Sequence, residues 1–184
     1  MNIINKVAAV LVPCLLVIGG AAHAATDEIK PYVEGSYAWP KFDSGGYSGT
    51  MGAGIVRAGV NFHRYWAVEA VGAFGTADAH ISAYGIPISM KLKSAYGAYL
   101  KAQYPVSPHF ELFARAGWLH ATLEASATDY GVSASASDSS FSYGAGFQVP
   151  FGTGWYAQAD YMSYYSKSGD AIRGPSIGFG YRFQ

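Results

Sequence analysis

From residue 32 onward, apolar and polar side chains alternate with a period of two in eight successive segments. The last is the clearest. Pro175, Ile177, Phe179, Tyr181 and Phe183 alternate with Ser176, Gly178, Gly180 and Arg182. A period of two sends neighbouring side chains to opposite faces of a β-strand. The pattern predicts strands over residues 32–39, 51–62, 66–74, 90–104, 110–118, 141–149, 155–165 and 175–183, with no helix-period stretch between them.

In each segment every charge is expected on one face. Val56, Ala58, Val60 and Phe62 stand opposite Arg57 and Asn61. Met90, Leu92, Tyr96, Leu100 and Tyr104 stand opposite Lys91, Lys93, Tyr99, Lys101 and Gln103. Phe110, Leu112, Ala114, Ala116 and Trp118 stand opposite Glu111, Phe113 and Arg115. A charge on a lipid-facing position near the bilayer midplane costs about 2–4 kcal/mol, so the charge-free face is expected to meet lipid. The other face is otherwise mostly Gly, Ala and Ser, which suits a narrow lumen. Aromatics gather near segment ends, as interface girdles do. Phe62, Trp66, Tyr104, Phe110, Trp155 and Phe183 are expected in one belt, and Trp39, Phe74, Trp118, Phe141 and Tyr165 in the other. A soluble lipocalin-type barrel is the competing reading, and it would turn the apolar face inward.

Connections alternate in length. Short turns follow segments two, four and six, and longer connections follow one, three, five and seven, at about 40–50, 76–89, 122–139 and 166–174. Outer-membrane barrels show this asymmetry, with tight periplasmic turns and long extracellular loops. The expected fold is all-β, an eight-stranded antiparallel up-and-down transmembrane β-barrel with both termini in the periplasm.

The start of the chain reads as a secretory signal over 1–24. Lys6 is followed by an apolar core at 7–18 and the small-x-small site Ala22-His23-Ala24. The barrel domain is then 25–184, beginning at Ala25. An uncleaved spanning helix is disfavoured by the short apolar core, Pro13 and the pair Gly19-Gly20. Cys14, the single cysteine, follows Pro13 where a lipoprotein site needs a small residue. Cleavage would leave eleven basic against twelve acidic residues, a balance that argues against a nucleic-acid partner.

Candidate chemistry lies on the charged face. Glu34, Arg57, Glu69, Lys93, Lys101, Glu111, Arg115, Asp160 and Arg182 are expected to point inward, with both signs present. A mixed set suits a plug of ion pairs that closes the lumen, and a one-sign bias would have suited an ion path. Glu69 and Lys101 are expected to pair, from their similar heights on adjoining strands. His120, Thr122 and Glu124 share one parity at the outer end of the fifth segment. Some eight-stranded barrels modify lipid A with a Ser/His/acid group, but here Thr122 occupies the serine position, a weak nucleophile. His63, His80 and His109 lack ligand spacing, and no phosphate loop, nucleophile elbow or cofactor motif occurs.

Several pieces resemble the small outer-membrane β-barrel family of OmpA-type transmembrane domains, the OmpX/Ail group and opacity-type adhesins. They are Tyr32-Val33-Glu34-Gly35, Trp66-Ala67-Val68-Glu69-Ala70, Phe113-Ala114-Arg115-Ala116-Gly117, Tyr143-Gly144-Ala145-Gly146 and Gly178-Phe179-Gly180-Tyr181-Arg182-Phe183. The resemblance implies a Gram-negative outer membrane with lipid and lipopolysaccharide around the barrel, and the weak Thr122 constellation argues for no enzymatic role. It also implies that Tyr181 and Phe183 form a signal for the barrel-assembly machinery, although Gln184 follows the final aromatic. The expected function is structural and cell-surface interaction, with a possible extracellular ligand at the loops. The alternatives are a narrow channel for small solutes and a lipid A-modifying enzyme.

Overall fold

The structure, a computed structural model, describes residues 29–44, 47–83, 86–127, 132–167 and 169–184. The expected signal segment and Ala25 lie outside the described residues. Eleven strands are described: β1 (Lys30–Ala38), β2 (Lys41–Ser44), β3 (Tyr47–Thr50), β4 (Gly52–His63), β5 (Trp66–Ala77), β6 (Ala79–Ala83), β7 (Ile86–Ser107), β8 (Phe110–Ala127), β9 (Val132–Phe151), β10 (Trp155–Lys167) and β11 (Asp170–Arg182).

Eight of them close a barrel in the order β1, β4, β5, β7, β8, β9, β10, β11. Strand β11 pairs back onto β1 from Tyr32↔Arg182 to Ala38↔Ser176. All neighbours are antiparallel. Closure leaves no free edge, and hydrocarbon demands this because it offers no partner for an open peptide group. The other strands extend the end of the barrel away from the termini. The β2–β3 hairpin adds to β11 through Ile172↔Phe42, and β6 pairs with β7.

The apolar face points outward. Val56, Phe74, Trp118 and Ile177 are each more than half exposed, whereas Arg57, Arg115, Ser142 and Ser176 are buried. A lipocalin has the opposite arrangement. Phe62, Trp66, Tyr104, Trp155 and Phe183 are exposed near the terminal end, and Trp39, Phe74, Trp118 and Phe141 toward the far end.

Small residues make room for large ones inside. Tyr32 lies opposite Gly59, and Tyr156 opposite Gly180. A Cβ on either glycine would collide with the facing tyrosine ring. Gly152 and Gly154, with φ of 57° and 81°, supply the left-handed backbone of the β9–β10 turn.

Three expectations change. Much of each expected long loop is strand, and the β8–β9 ladder reaches Ala127↔Val132. These extensions rise past the outer belt, where no lipid enforces a strict apolar face, so the period-two signal in their sequence is weak. Second, the pairing of β7 with β8 skips Lys93, between Leu92↔Leu123 and Ser94↔Thr122. The bulge reverses parity above it. Lys93 therefore faces out and pairs with Glu124 at 3.0 Å, half exposed. Leu92 and Met90, expected to meet lipid, line the interior. Third, a bulge at Tyr164 separates Ser163↔Arg173 from Tyr165↔Ile172. Tyr165, expected in the outer belt, instead donates its hydroxyl to Asp138 Oδ2 at 3.0 Å.

Candidate functional site in the lumen

The interior has two storeys. The one nearer the termini is charged. Arg115 on β8 sits among three carboxylates: Nη2 is 2.9 Å from Glu34 Oε2, Nη1 is 2.6 Å from Asp160 Oδ2, and Nε is 2.8 Å from Glu69 Oε2. Its Nη2 also donates to Gln158 Oε1 at 3.0 Å. Arg57 on β4 donates to Glu34 Oε1 at 2.6 Å and to Ser36 Oγ at 2.9 Å, with Asp160 3.7 Å from its Nη2. Lys101 on β7 lies 3.7 Å from Glu69 Oε1 and donates to Gln148 at 3.1 Å. These six charged side chains are at most 2 % exposed and balance in sign.

A second pair lies closer to the termini. Arg182 grips Glu111 with both terminal nitrogens, at 2.9 and 2.6 Å, and Gln148 donates to the same carboxylate. With β9 represented by Gln148, every barrel strand contributes a side chain to one connected network. Aromatic side chains join the network. Tyr32 donates to Glu69 at 2.5 Å, and Tyr156 to Glu34 at 3.3 Å. The ammonium of Lys101 lies 4.8 Å from the Phe113 ring centroid, and the Arg115 guanidinium carbon 4.3 Å. Each buried ion has an oppositely charged neighbour, as charges withdrawn from water require, because an unpaired buried ion costs several kcal/mol.

Of the charged residues expected to point inward, Lys93 is the one turned away. Glu69 and Lys101 do approach, but the nearer cation to Glu69 is Arg115. Sequence reasoning missed Tyr32 and Tyr156 as members of the network. Both share parity with an inward charge, Glu34 and Asp160 respectively, and that parity was the available signal.

The upper storey is apolar. Ala38, Ile55, Val71, Ala95, Tyr99, Leu119 and Met162 form its buried walls. They surround a cavity of about 290 Å³ that runs from Arg57 to Asp138 and Asp170 at the far rim. Two ladders stop at this level. Pairing of β9 with β10 ends at Tyr143↔Ser163, and pairing of β5 with β7 ends at Ala73↔Ala95. Beyond Tyr143, side chains bridge the β9–β10 seam. Lys167 Nζ lies 2.9 Å from both oxygens of Asp138 and donates to the Ser139 carbonyl at 2.6 Å. Asp138 is exposed, and hydrogen bonding from Lys167, then from the Ser139 N–H and the Tyr165 hydroxyl, holds its carboxyl below the usual range.

His120, Thr122 and Glu124 lie along the outer surface of β8. Their partners are Ser139 at 2.8 Å, Ser137 at 2.9 Å and Lys93 at 3.0 Å respectively, each on a neighbouring strand.

The outward apolar face, the aromatic belts and the closed ladder define an integral β-barrel of the outer membrane. Residues 10–183 match the family described as outer membrane protein beta-barrel domain, and the chain belongs to that family. Its place is therefore the outer membrane of a Gram-negative cell, among lipid and lipopolysaccharide. Solved barrels share the fold. Ail, the attachment invasion locus protein of Yersinia pestis, has a TM-score of 0.62 at 21% identity, over 85% of this chain and 100% of that one. Neisserial surface protein A has a TM-score of 0.67 at 11% identity, over 83% and 97%. OprG from Pseudomonas aeruginosa has a TM-score of 0.55 at 13% identity, over 85% and 96%. A search of curated protein sequences finds no match.

Proposed function

We propose that this protein is a closed, non-enzymatic surface barrel that anchors four hairpins outside the cell and adds to outer-membrane integrity. The observation that carries this reading is the lumen network. Six buried ionic side chains from six strands occupy the interior at one level, with the Arg182–Glu111 pair beneath. Passage of a solute would require breaking several of these bonds together. The network therefore favours a plug over a conducting path. In this reading the termini are periplasmic, the β2–β3, β6–β7, β8–β9 and β10–β11 hairpins are extracellular, and Tyr181 and Phe183 serve the assembly machinery.

The hairpins carry the partner-binding role. Ail was crystallised with a heparin analogue, sucrose octasulfate. Here Lys41, Lys93 and Lys167 are each paired with a carboxylate, Asp43, Glu124 and Asp138. Among the described hairpin residues, Lys91 and Arg173 are exposed without an ion pair, but Asp78 and Asp170 balance them, so these hairpins hold no cationic excess for a polysulfated ligand.

Purified protein in planar bilayers tests the plug. Absence of stepwise conductance is the expected result, and stable conductance steps would establish the channel reading. Lipid A mass spectra of expressing cells should match those of cells lacking the gene, and a shifted acyl pattern would refute the non-enzymatic reading.

A further inference from the structure

Among the described residues, five buried side-chain atoms have no hydrogen-bond partner; Glu69 Oε2 and Arg115 Nε face each other as an ion pair at 2.8 Å, and two of the others belong to side chains that line the cavity above. Its walls are aliphatic, from Ile55, Leu92, Leu119 and Leu123 among others. Two buried donors among its lining residues have no hydrogen-bond partner, the Tyr164 hydroxyl and Arg57 Nε. Both belong to side chains whose position is fixed. Arg57 is held by Glu34 and Ser36, and Tyr164 packs against the buried cluster that includes Ile55, Val71 and Met162. Buried donors left open are rare in folded proteins. Placed in an apolar chamber, they resemble the few polar groups that orient a ligand in an otherwise hydrophobic pocket.

We propose that the upper lumen is a binding site for a small apolar molecule carrying one carbonyl-type acceptor, such as a medium-chain ketone, aldehyde or ester. The carbonyl oxygen has two lone pairs and accepts from Tyr164 and Arg57, while the hydrocarbon part fills the aliphatic chamber. The volume sets the size. A dry apolar cavity of about 150 Å³ holds benzene, so about 290 Å³ corresponds to roughly twelve non-hydrogen atoms. A longer lipid chain does not fit, and a sugar or an ion finds too few partners. Entry is from the far end, where the cavity reaches its rim at Asp138 and Asp170. This site is independent of the surface role proposed for the hairpins.

Photolabelling of the full chain in lipid nanodiscs tests it, with acetophenone, a photoreactive ketone small enough for the chamber, as the probe and peptide mass spectrometry as the readout. Adducts on Leu92, Leu119 and Ile55 should saturate, whereas those on the lipid-facing Val56, Leu100 and Ile177 should rise linearly with probe. 2-Undecanone should compete for the interior adducts at least about tenfold better than n-undecane, as an added hydrogen bond implies. Tyr164→Phe should shrink that ratio while leaving the linear labelling unchanged. Ala121→Trp should fill the chamber and abolish interior labelling. A heat-shift gel identifies any variant that fails to fold, and Tyr164→Phe, an isosteric change, keeps the test decisive in that event. Linear labelling of both faces overturns the proposal, as does equal competition by ketone and alkane. Nanodiscs built with diazirine-bearing phospholipid supply the other arm. Interior adducts from those acyl chains would assign the chamber to bilayer lipid and also overturn it.

Discussion

Arg115 and Glu34 meet inside the barrel with Nη2 2.9 Å from Oε2, although they lie 81 residues apart on strands that are not neighbours. The contact crosses the lumen. It makes Arg115 the hub for three carboxylates supplied by β1, β5 and β10. No other side chain in the cluster touches all three.

Removing that hub should therefore be the most damaging single change in the lumen. Arg115→Met leaves Glu34, Glu69 and Asp160 facing one another in a dry interior. The expected loss is on the order of 3–5 kcal/mol in urea refolding titrations, as for breaking a buried ion pair. Arg115→Lys should recover only part of it, since one ammonium cannot place three donors on three carboxylates. Wild-type stability of Arg115→Met would show that the network is not the plug described.

The Glu69–Lys101 contact should be the weaker of two couplings on Glu69. The ammonium is 3.7 Å away, against 2.8 Å for Arg115 Nε, and Gln148 holds Lys101 separately. Double-mutant cycles should give a larger interaction for Glu69→Gln with Arg115→Met than for Glu69→Gln with Lys101→Met, within a range of about 0.5–3 kcal/mol. The reverse order would place Lys101 closer to Glu69 in the bilayer than the structure does.

Faces of the strands should respond oppositely to charge. Ala145 faces outward, and Ala145→Lys should cost about 2–4 kcal/mol if it lies near the bilayer midplane. Ala121 lines the upper lumen opposite Asp138, so the ammonium of Ala121→Lys has a carboxylate to reach. Heat-shift gels of membranes from expressing cells should show less folded Ala145→Lys than Ala121→Lys. Equal folding of the two would contradict the assignment of faces.

Barrel, strand order and face were legible in the sequence because lipid on one side enforces a strict period. Legibility ended where that enforcement ended. Past the outer belt, as at 133–137, serine alternates only with alanine, and strand looked like loop. The bulges at Lys93 and Tyr164 each add one residue to a strand, which reverses parity without any mark in composition. A parity rule fitted to the membrane part consequently sent Lys93 inward and Leu92 outward. The apolar upper lumen was hidden by the same slip, since Met90 and Leu92 were counted on the lipid face. The charge cluster was legible as a set, but which cation meets which carboxylate depends on cross-lumen reach, and a strand-by-strand reading does not contain it.

Asp138 and Lys167 join β9 to β10 where the ladder has ended, so the seam should depend on pH through Asp138. Its carboxyl lies below its ordinary value of 3.8, with the Lys167 hydrogen bonds as the leading cause. A group whose pKa is depressed by folding contributes most above its unfolded value, and that contribution fades as pH falls through the folded value. The seam should accordingly hold steady from neutral pH to about 5 and loosen only in acid below about 4. Amide exchange at Ser139 and Lys167, corrected for the intrinsic pH dependence of exchange, should show constant protection over the first range and a fall over the second. Lys167→Met should show the loosened seam already at neutral pH, because the carboxylate then keeps only its Ser139 and Tyr165 partners. Protection that declined near pH 6 in the wild type would assign the seam to a group other than Asp138.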